Sequence, residues 1–309
     1  MNNLEISKQI INSIQKENIR TEKNSSKEEW FYEGKKLKAL RESISKVIGQ
    51  CFAPALTTSV ATTLFKVANC SEMAQKFIFE YFLTSNHGKI NLIFTANKDN
   101  ARGINHCFAL IGKVTASENL ILKDSKLPSS NCYVPITNFL SNQNKDTIIA
   151  DPYLEFANEI DSCNILLDFS KKLNITHVIG VLEYSGVSTE QAKQIKENAE
   201  KTKENIIKSV LTKCRLDPNE HKDILVREKA MRRTAMSGKI EDLSMLLSTG
   251  INIDAQDSNP ENQYTALHLA LMHEKVENAS YLIFKQAKKD IPNAKGITAN
   301  NLISNNGQG

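Results

Sequence analysis

Three short segments carry residue types that together could perform nucleophilic acyl chemistry: NCSEMA at 69–74, HCFALIG at 106–112 and IIADPY at 148–153. A thiol attacks only as the thiolate, and a helix N-terminus beside the sulfur favours that charge. Cys70 stands at the mouth of a stretch that reads as a buried helix. His106 begins a β-like run, from which its imidazole can face the sulfur across a cleft and serve as general base and acid. Asp151 ends the next apolar run, where Pro152 fixes the turn, and its carboxylate can hold the ring in one tautomer. The order Cys, His, Asp, with the nucleophile on a helix and its partners on strands, is what a thiol-based acyl-transfer site requires.

Each residue also has a plainer reading. A buried cysteine on an apolar helix usually only packs, a histidine opening a strand is often structural, and Asp-Pro makes turns. The joint occurrence in the required order favours chemistry. Cys51, in Gly49-Gln50-Cys51-Phe52, is a rival nucleophile, and Cys70 is preferred because Glu72, Met73 and Ala74 complete its motif. The donors for an oxyanion stay open between Gln50 and the Cys70 backbone N–H. His177, in the similar run ITHVIG, has no cysteine or aspartate motif attached and receives no role.

These residues need elements to position them. Residues 68–83 contain no helix breaker and carry Met73, Phe77 and Tyr81 at four-residue steps, which predicts a buried helix opening near Cys70. Short β-like runs follow at 90–95, 106–114, 120–122, 147–150 and 175–182. A helix followed by several short strands predicts an α+β domain with an antiparallel sheet over 50–186. Ahead of it, 1–49 reads as a helical packing segment. Ile6, Ile10, Ile11 and Ile14 share one helical face there, and Leu37, Leu40, Ile44 and Ile48 share another. Behind it, 187–225 reads as a solvated connecting helix, opened by a capping box at Ser188 and Gln191 and charged nearly all round.

The last part of the chain, 226–309, is repetitive. TALHLA at 265–270 is close to an ankyrin signature, with Ala266 in the usual proline position, and two helical stretches follow. Thr298 stands 33 residues after Thr265, a full ankyrin period. Residues 234–247 align on 270–283, with Gly238 and Gly250 at the positions of the repeat's turn glycines. This predicts an all-α stack of two full units and a truncated third. So short a stack must lean on neighbouring structure. His268 reads as a residue that orients backbone, not as a catalyst.

Composition narrows the function. The net charge is only +4 and no basic stripe is present, so nucleic-acid binding is not expected. Neither a signal-peptide core nor a membrane span is visible. The six cysteines include no CxxC pair, and no Cys/His spacing suggests a metal, so neither metal nor cofactor is expected. Free thiols of this kind fit a cytosolic setting.

The motifs NC-x-E-x-A, H-x-F-x-x-I-G and DP-[WY] occur here in order as NCSEMA, HCFALIG and DPY. In this the chain resembles papain-like and transglutaminase-like cysteine enzymes, over about 50–182. More narrowly, it is similar to cysteine-protease-like domains of effectors that bacteria inject into host cells. With the repeats, it looks like an ankyrin-repeat effector of an intracellular bacterium, of the type IV-secreted class. The resemblance implies a helix bearing the cysteine packed on an antiparallel sheet. It implies Cys70 as nucleophile, His106 as base and acid, and Asp151 as the orienting carboxylate. Where a glycine is common before Asn69 the chain has Ala68, and Tyr153 replaces the more frequent tryptophan. The implied function is a thiol hydrolase or acyltransferase, active in virulence on a host protein selected by the repeats. Such a protein is made in the bacterial cytoplasm and delivered to host cytosol. The alternative is a non-enzymatic ankyrin adaptor with an inactive protease-like domain.

Overall fold

The structure, a computed structural model, describes residues 2–48, 53–84, 88–97, 106–122, 133–160 and 175–306. Two compact units divide the chain: Met1–Asn24 with Ile48–Ala199, and Ser25–Val47 with Glu200–Gly309. The first 49 residues therefore split between the units, where the sequence pattern alone treats them as one segment.

In the first unit, helix α1 (Asn3–Lys16) opens with a capping box in which the Asn2 side chain accepts from the Glu5 amide. Ile6, Ile10, Ile11 and Ile14 are all buried, as their spacing predicts. Helix α3 (Pro54–Leu64) is rich in threonine and was not anticipated; its Thr57, Thr58, Thr62 and Thr63 hydroxyls return to carbonyls in the preceding turn. Helix α4 (Cys70–Thr84) is buried over nearly its whole length, Met73, Phe77 and Tyr81 included.

The sheet is antiparallel throughout. Its strands are β1 (Ile90–Ala96), β2 (His106–Ile111), β3 (Val134–Pro135), β4 (Ile148–Asp151), β5 (Phe156–Glu159) and β6 (His177–Tyr184), in the order β3-β6-β1-β2-β4-β5. Alternation sends Leu92, Phe94, Cys107 and Ala109 to one face, in a core with Met73, Ala74 and Phe77 of α4. Ile93, Phe108, Leu110 and Ile149 go to the other face and pack with Phe139 and Leu140 of helix α5 (Ile136–Ser141). Residues 120–122 do not form a ladder strand. They follow a 3-10 turn at Glu118–Leu120 and make only an isolated bridge from Ile121 to Val181.

Helix α6 (Thr189–Lys213) carries the expected Ser188–Gln191 cap, with reciprocal bonds of 2.9 and 3.2 Å. It is not solvated all round. Ala192, Ile195 and Ala199 are buried in its first half, with Ala192 and Ile195 in the core of the first unit, and Ile207, Val210 and Leu211 of its second half lie in the repeat core. The lysines and glutamates between those positions hide the stripe in sequence.

The second unit contains α2 (Lys27–Ile48), then α7 (Ile224–Ser237) with α8 (Ile240–Leu247), α9 (Ala266–Met272) with α10 (Val276–Phe284), and a lone α11 (Ala299–Asn306). Two helix pairs and a single helix follow one another here. Thr265 caps α9 and shares a reciprocal cap with His268, whose Nε2 meets the Ile297 carbonyl at 3.0 Å. A Cβ at Gly238 would lie 2.6 Å from Thr234 Cγ2, so the turn needs glycine, and Gly250 sits at φ +77°.

The stack leans on α2. Tyr32 packs against Tyr281 at 5.0 Å and Phe284 at 5.5 Å. Glu33 is buried between Lys36 Nζ at 2.6 Å and Lys285 Nζ at 2.8 Å. Among the described residues, no helix is long and apolar enough to cross a membrane.

Candidate active site

Cys70 is the first residue of α4, and the chain fixes it there from both sides. Upstream, the Ala68 amide donates to the Arg20 carbonyl at 3.0 Å and the Arg20 amide to the Lys66 carbonyl at 2.9 Å. Downstream, the Asn69 carbonyl accepts the Met73 amide at 2.9 Å, and Glu72 reaches back to accept from the Asn69 amide at 3.0 Å. Glu72 therefore caps the helix that carries the thiol. The Cys70 N–H belongs to the first turn, where amides have no acceptor within the helix and the dipole is positive.

His106 is the first residue of β2, opposite Thr95 of β1, whose hydroxyl donates to the His106 carbonyl at 2.9 Å. Asp151 is the last residue of β4. Its Oδ2 meets His106 Nε2 at 2.5 Å, and its Oδ1 accepts from the Tyr153 and Leu154 amides at 3.0 and 3.1 Å. Both carboxylate oxygens are thereby committed, so the imidazole is held at Nε2 and presents Nδ1 as the nitrogen left for the thiol. The Tyr153 ring stands edge-on to the imidazole with centroids 5.5 Å apart. Gln15 Nε2 donates to the Pro152 carbonyl at 2.6 Å, and the Lys23 backbone bonds the Tyr153 hydroxyl. His106 is 2% and Asp151 0% exposed, while Cys70 keeps 9%. Cys70 is the most accessible residue of the three.

The electrostatics follow from these contacts. A hydrogen bond from the Cys107 thiol is the largest influence on Cys70; burial opposes it, and the bond and charge of His106 add to it, bringing the thiol down to about 5. Burial would push His106 down, but the bonds to Asp151 and then Cys70, with their charges, carry it up to about 9. Between those values the pair is thiolate and imidazolium. That charge state suits attack on a carbonyl followed by protonation of a leaving nitrogen.

The structure thus brings Cys70, His106 and Asp151 into one cluster. Cys51 and Gln50 lie outside the described residues. His177 opens β6, opposite Ala96 of β1, with Nδ1 at 2.7 Å from Thr176 Oγ1 and its ring edge-on to Tyr133. Sequence reasoning passed over Cys107, although it adjoins His106 in the motif. Strand alternation makes it the neighbour facing α4, and that signal was present. The contributions of Gln15, Arg20 and Lys23 leave no mark in composition or periodicity, because they are mostly backbone and amide bonds.

The repeat unit offers a different kind of site. The histidine of the TALHLA motif is spent on structure: His268 Nδ1 lies 2.8 Å from Thr265 Oγ1, and burial pushes its pKa down. Residues 231–283 match the family model described as ankyrin repeats (many copies). No curated protein and no solved structure matches the chain. Over the matched stretch the chain is similar to ankyrin repeats, a module whose role is to bind other proteins.

Proposed function

We propose that the chain is a cysteine-dependent acyl-transfer enzyme, a protease or deamidase in type, acting on a protein that its ankyrin repeats select. The single observation that carries this reading is the Cys70–His106–Asp151 cluster, with a helix-borne thiol beside an imidazole anchored at 2.5 Å on a buried carboxylate. In the proposed reaction the Cys70 thiolate attacks an amide carbonyl carbon and a C–S bond forms. His106 Nδ1–H gives its proton to the departing nitrogen as the C–N bond breaks. Water, deprotonated by the neutral His106, then attacks the thioester, releasing the acid and restoring the thiolate. The Cys70 amide, in the first turn of its helix, is the donor proposed for the oxyanion.

The papain-like assignment of the first unit rests on its motifs and on a cysteine-bearing helix packed against an antiparallel sheet. The same resemblance supports a bacterial effector of the type IV-secreted class, exported from the bacterial cytoplasm to act on a host protein in the cytosol. The competing reading is an ankyrin adaptor without catalysis, favoured by the match of residues 231–283 to the ankyrin family model. Labelling with iodoacetamide separates the two. An activated Cys70 reacts well ahead of Cys214, which burial pushes up and which bonds Thr234 Oγ1 at 3.2 Å. Equal rates at neutral pH would sink the enzyme reading, as would an effect on host cells that survives Cys70→Ala intact.

A further inference from the structure

The proposed reaction leaves one buried nucleophile unused. Cys107 is the second residue of β2, and alternation turns it, away from Phe108, into the core shared with α4. It is 0% exposed in the core that β2 shares with α4, and its thiol and that of Cys70, at the head of that helix, shift each other's titration. Both cysteines are free thiols. Two thiols on elements packed face to face, each within electrostatic reach of the other, can be brought by side-chain rotation to the S–S bond length of about 2.0 Å. By contrast, Cys214 has oxygen partners, Thr234 Oγ1 and the Ala230 carbonyl, and serves as an internal control.

We propose that the Cys70–Cys107 pair is an oxidative modification site: a peroxide oxidises Cys70, and Cys107 resolves it into a reversible disulfide that removes the nucleophile. In the first step the Cys70 thiolate attacks one peroxide oxygen. An S–O bond forms, the O–O bond breaks, and the departing hydroxide takes the His106 proton to leave as water. In the second step the Cys107 sulfur attacks Cys70 Sγ. The S–S bond forms, the S–O bond breaks, and the thiol proton leaves with the hydroxyl as a second water. Two electrons pass from the two thiols to the peroxide.

The surroundings favour this order. Cys70 holds the exposed edge of the pair and is the thiolate, so it meets the oxidant first. Cys107 stays protonated because its bond to Cys70, then burial and the Cys70 charge, push its thiol well above the ordinary range. Conversion of Cys70 to a neutral sulfenic acid removes that charge. Cys107 then deprotonates more easily, beside the now neutral His106.

The modification rests on thiol chemistry alone; only its consequence for activity rests on the acyl-transfer reading. The test is to treat the full chain with hydrogen peroxide, block remaining thiols and map peptides by mass without reduction. The expected product is a linked pair containing Cys70 and Cys107, about 2 Da below two thiols, and reversed by dithiothreitol. Iodoacetamide labelling of Cys70 falls at least about tenfold on oxidation and returns on reduction. In Cys107→Ala, Cys70 proceeds to sulfinic acid and labelling does not return. Recovery of Cys70 as sulfinic acid in the unsubstituted chain, or linked to Cys51 instead, overturns the inference. If Cys107→Ala does not fold, the map of the unsubstituted chain decides alone. A linked pair in a chain without acyl-transfer activity removes the proposed function and keeps this site; an active chain with an unlinked Cys107 does the reverse.

Discussion

Each unit buries a cluster of three polar groups, and the two clusters behave differently. In the α/β unit Asp151 holds His106, which faces Cys70. In the repeat unit Lys36 and Lys285 hold Glu33, a buried residue of α2. Both leave the carboxylate almost without solvent and satisfied by a partner within 2.8 Å. The difference lies in what the partners can do near neutral pH. Glu33 is held low by the two lysines against its burial, so its cluster ties helices together. Thiol and imidazole have been moved to about 5 and about 9, so they exchange a proton within reach of ordinary chemistry. Burial of charge alone is no mark of a site. Burial of groups whose titration brackets neutrality is a better one.

Substitutions can break this contrast, and the largest effect belongs to Cys70. Cys70→Ala abolishes acyl transfer and fast labelling, while unfolding of the repeat unit in urea is unchanged. Asp151→Asn keeps the shape but removes the charge behind the imidazolium. The expected loss is roughly 10²- to 10⁴-fold in acyl transfer, with a fall of the His106 titration seen by NMR. Glu33→Ala removes the buried carboxylate held by Lys36 and Lys285. It destabilises the repeat unit by about 3–5 kcal/mol in urea unfolding and leaves Cys70 labelling untouched.

The pH response sharpens the same point. Cys70 is lowered, so its contribution to stability is present above its ordinary value of 9.0 and is lost as pH falls through about 5. His106 is raised, so its contribution is complete below 6.5 and is lost as pH climbs through about 9. Iodoacetamide labelling of Cys70 accordingly inflects near about 5, and activity is bounded by about 5 and about 9. Glu33 is also lowered, by Lys36 and Lys285 against burial, so its contribution fails only as pH falls below its ordinary 4.5. A neutral-pH inflection in repeat-unit stability that vanished with Glu33→Gln would contradict that assignment. The smallest effect is expected at the α9 cap, where Thr265→Ala costs about 1 kcal/mol in thermal unfolding.

Much of the helical architecture was legible in the sequence because its signals are local. Thr265 with His268, Ser188 with Gln191, and Asn69 with Glu72 are three residues apart, and one helical turn places each pair together. The ankyrin period worked for the same reason, since each unit repeats its own turn chemistry. Strands were less readable. β5, FANE, has no apolar alternation, and β3 is only two residues long, so both exist through pairing with β4 and β6. The buried stripe of α6 was masked by lysines and glutamates interleaved at every turn. The motif order placed Cys70, His106 and Asp151 as candidates, but order carries no distance.

The sequence by itself determined most of the longer helices, several of their caps, the repeat and the identity of the three candidate residues, because helix geometry and repeat period act over a few residues. Tertiary structure alone decided which groups meet. Antiparallel register among β1, β2 and β4 sets His106 Nε2 on Asp151, 45 residues away. Packing of α4 on that sheet brings Cys107 to Cys70, and docking of α2 on the repeats joins Glu33 to Lys285 across 252 residues. Those contacts have no local signature, since their geometry depends on how whole elements pack.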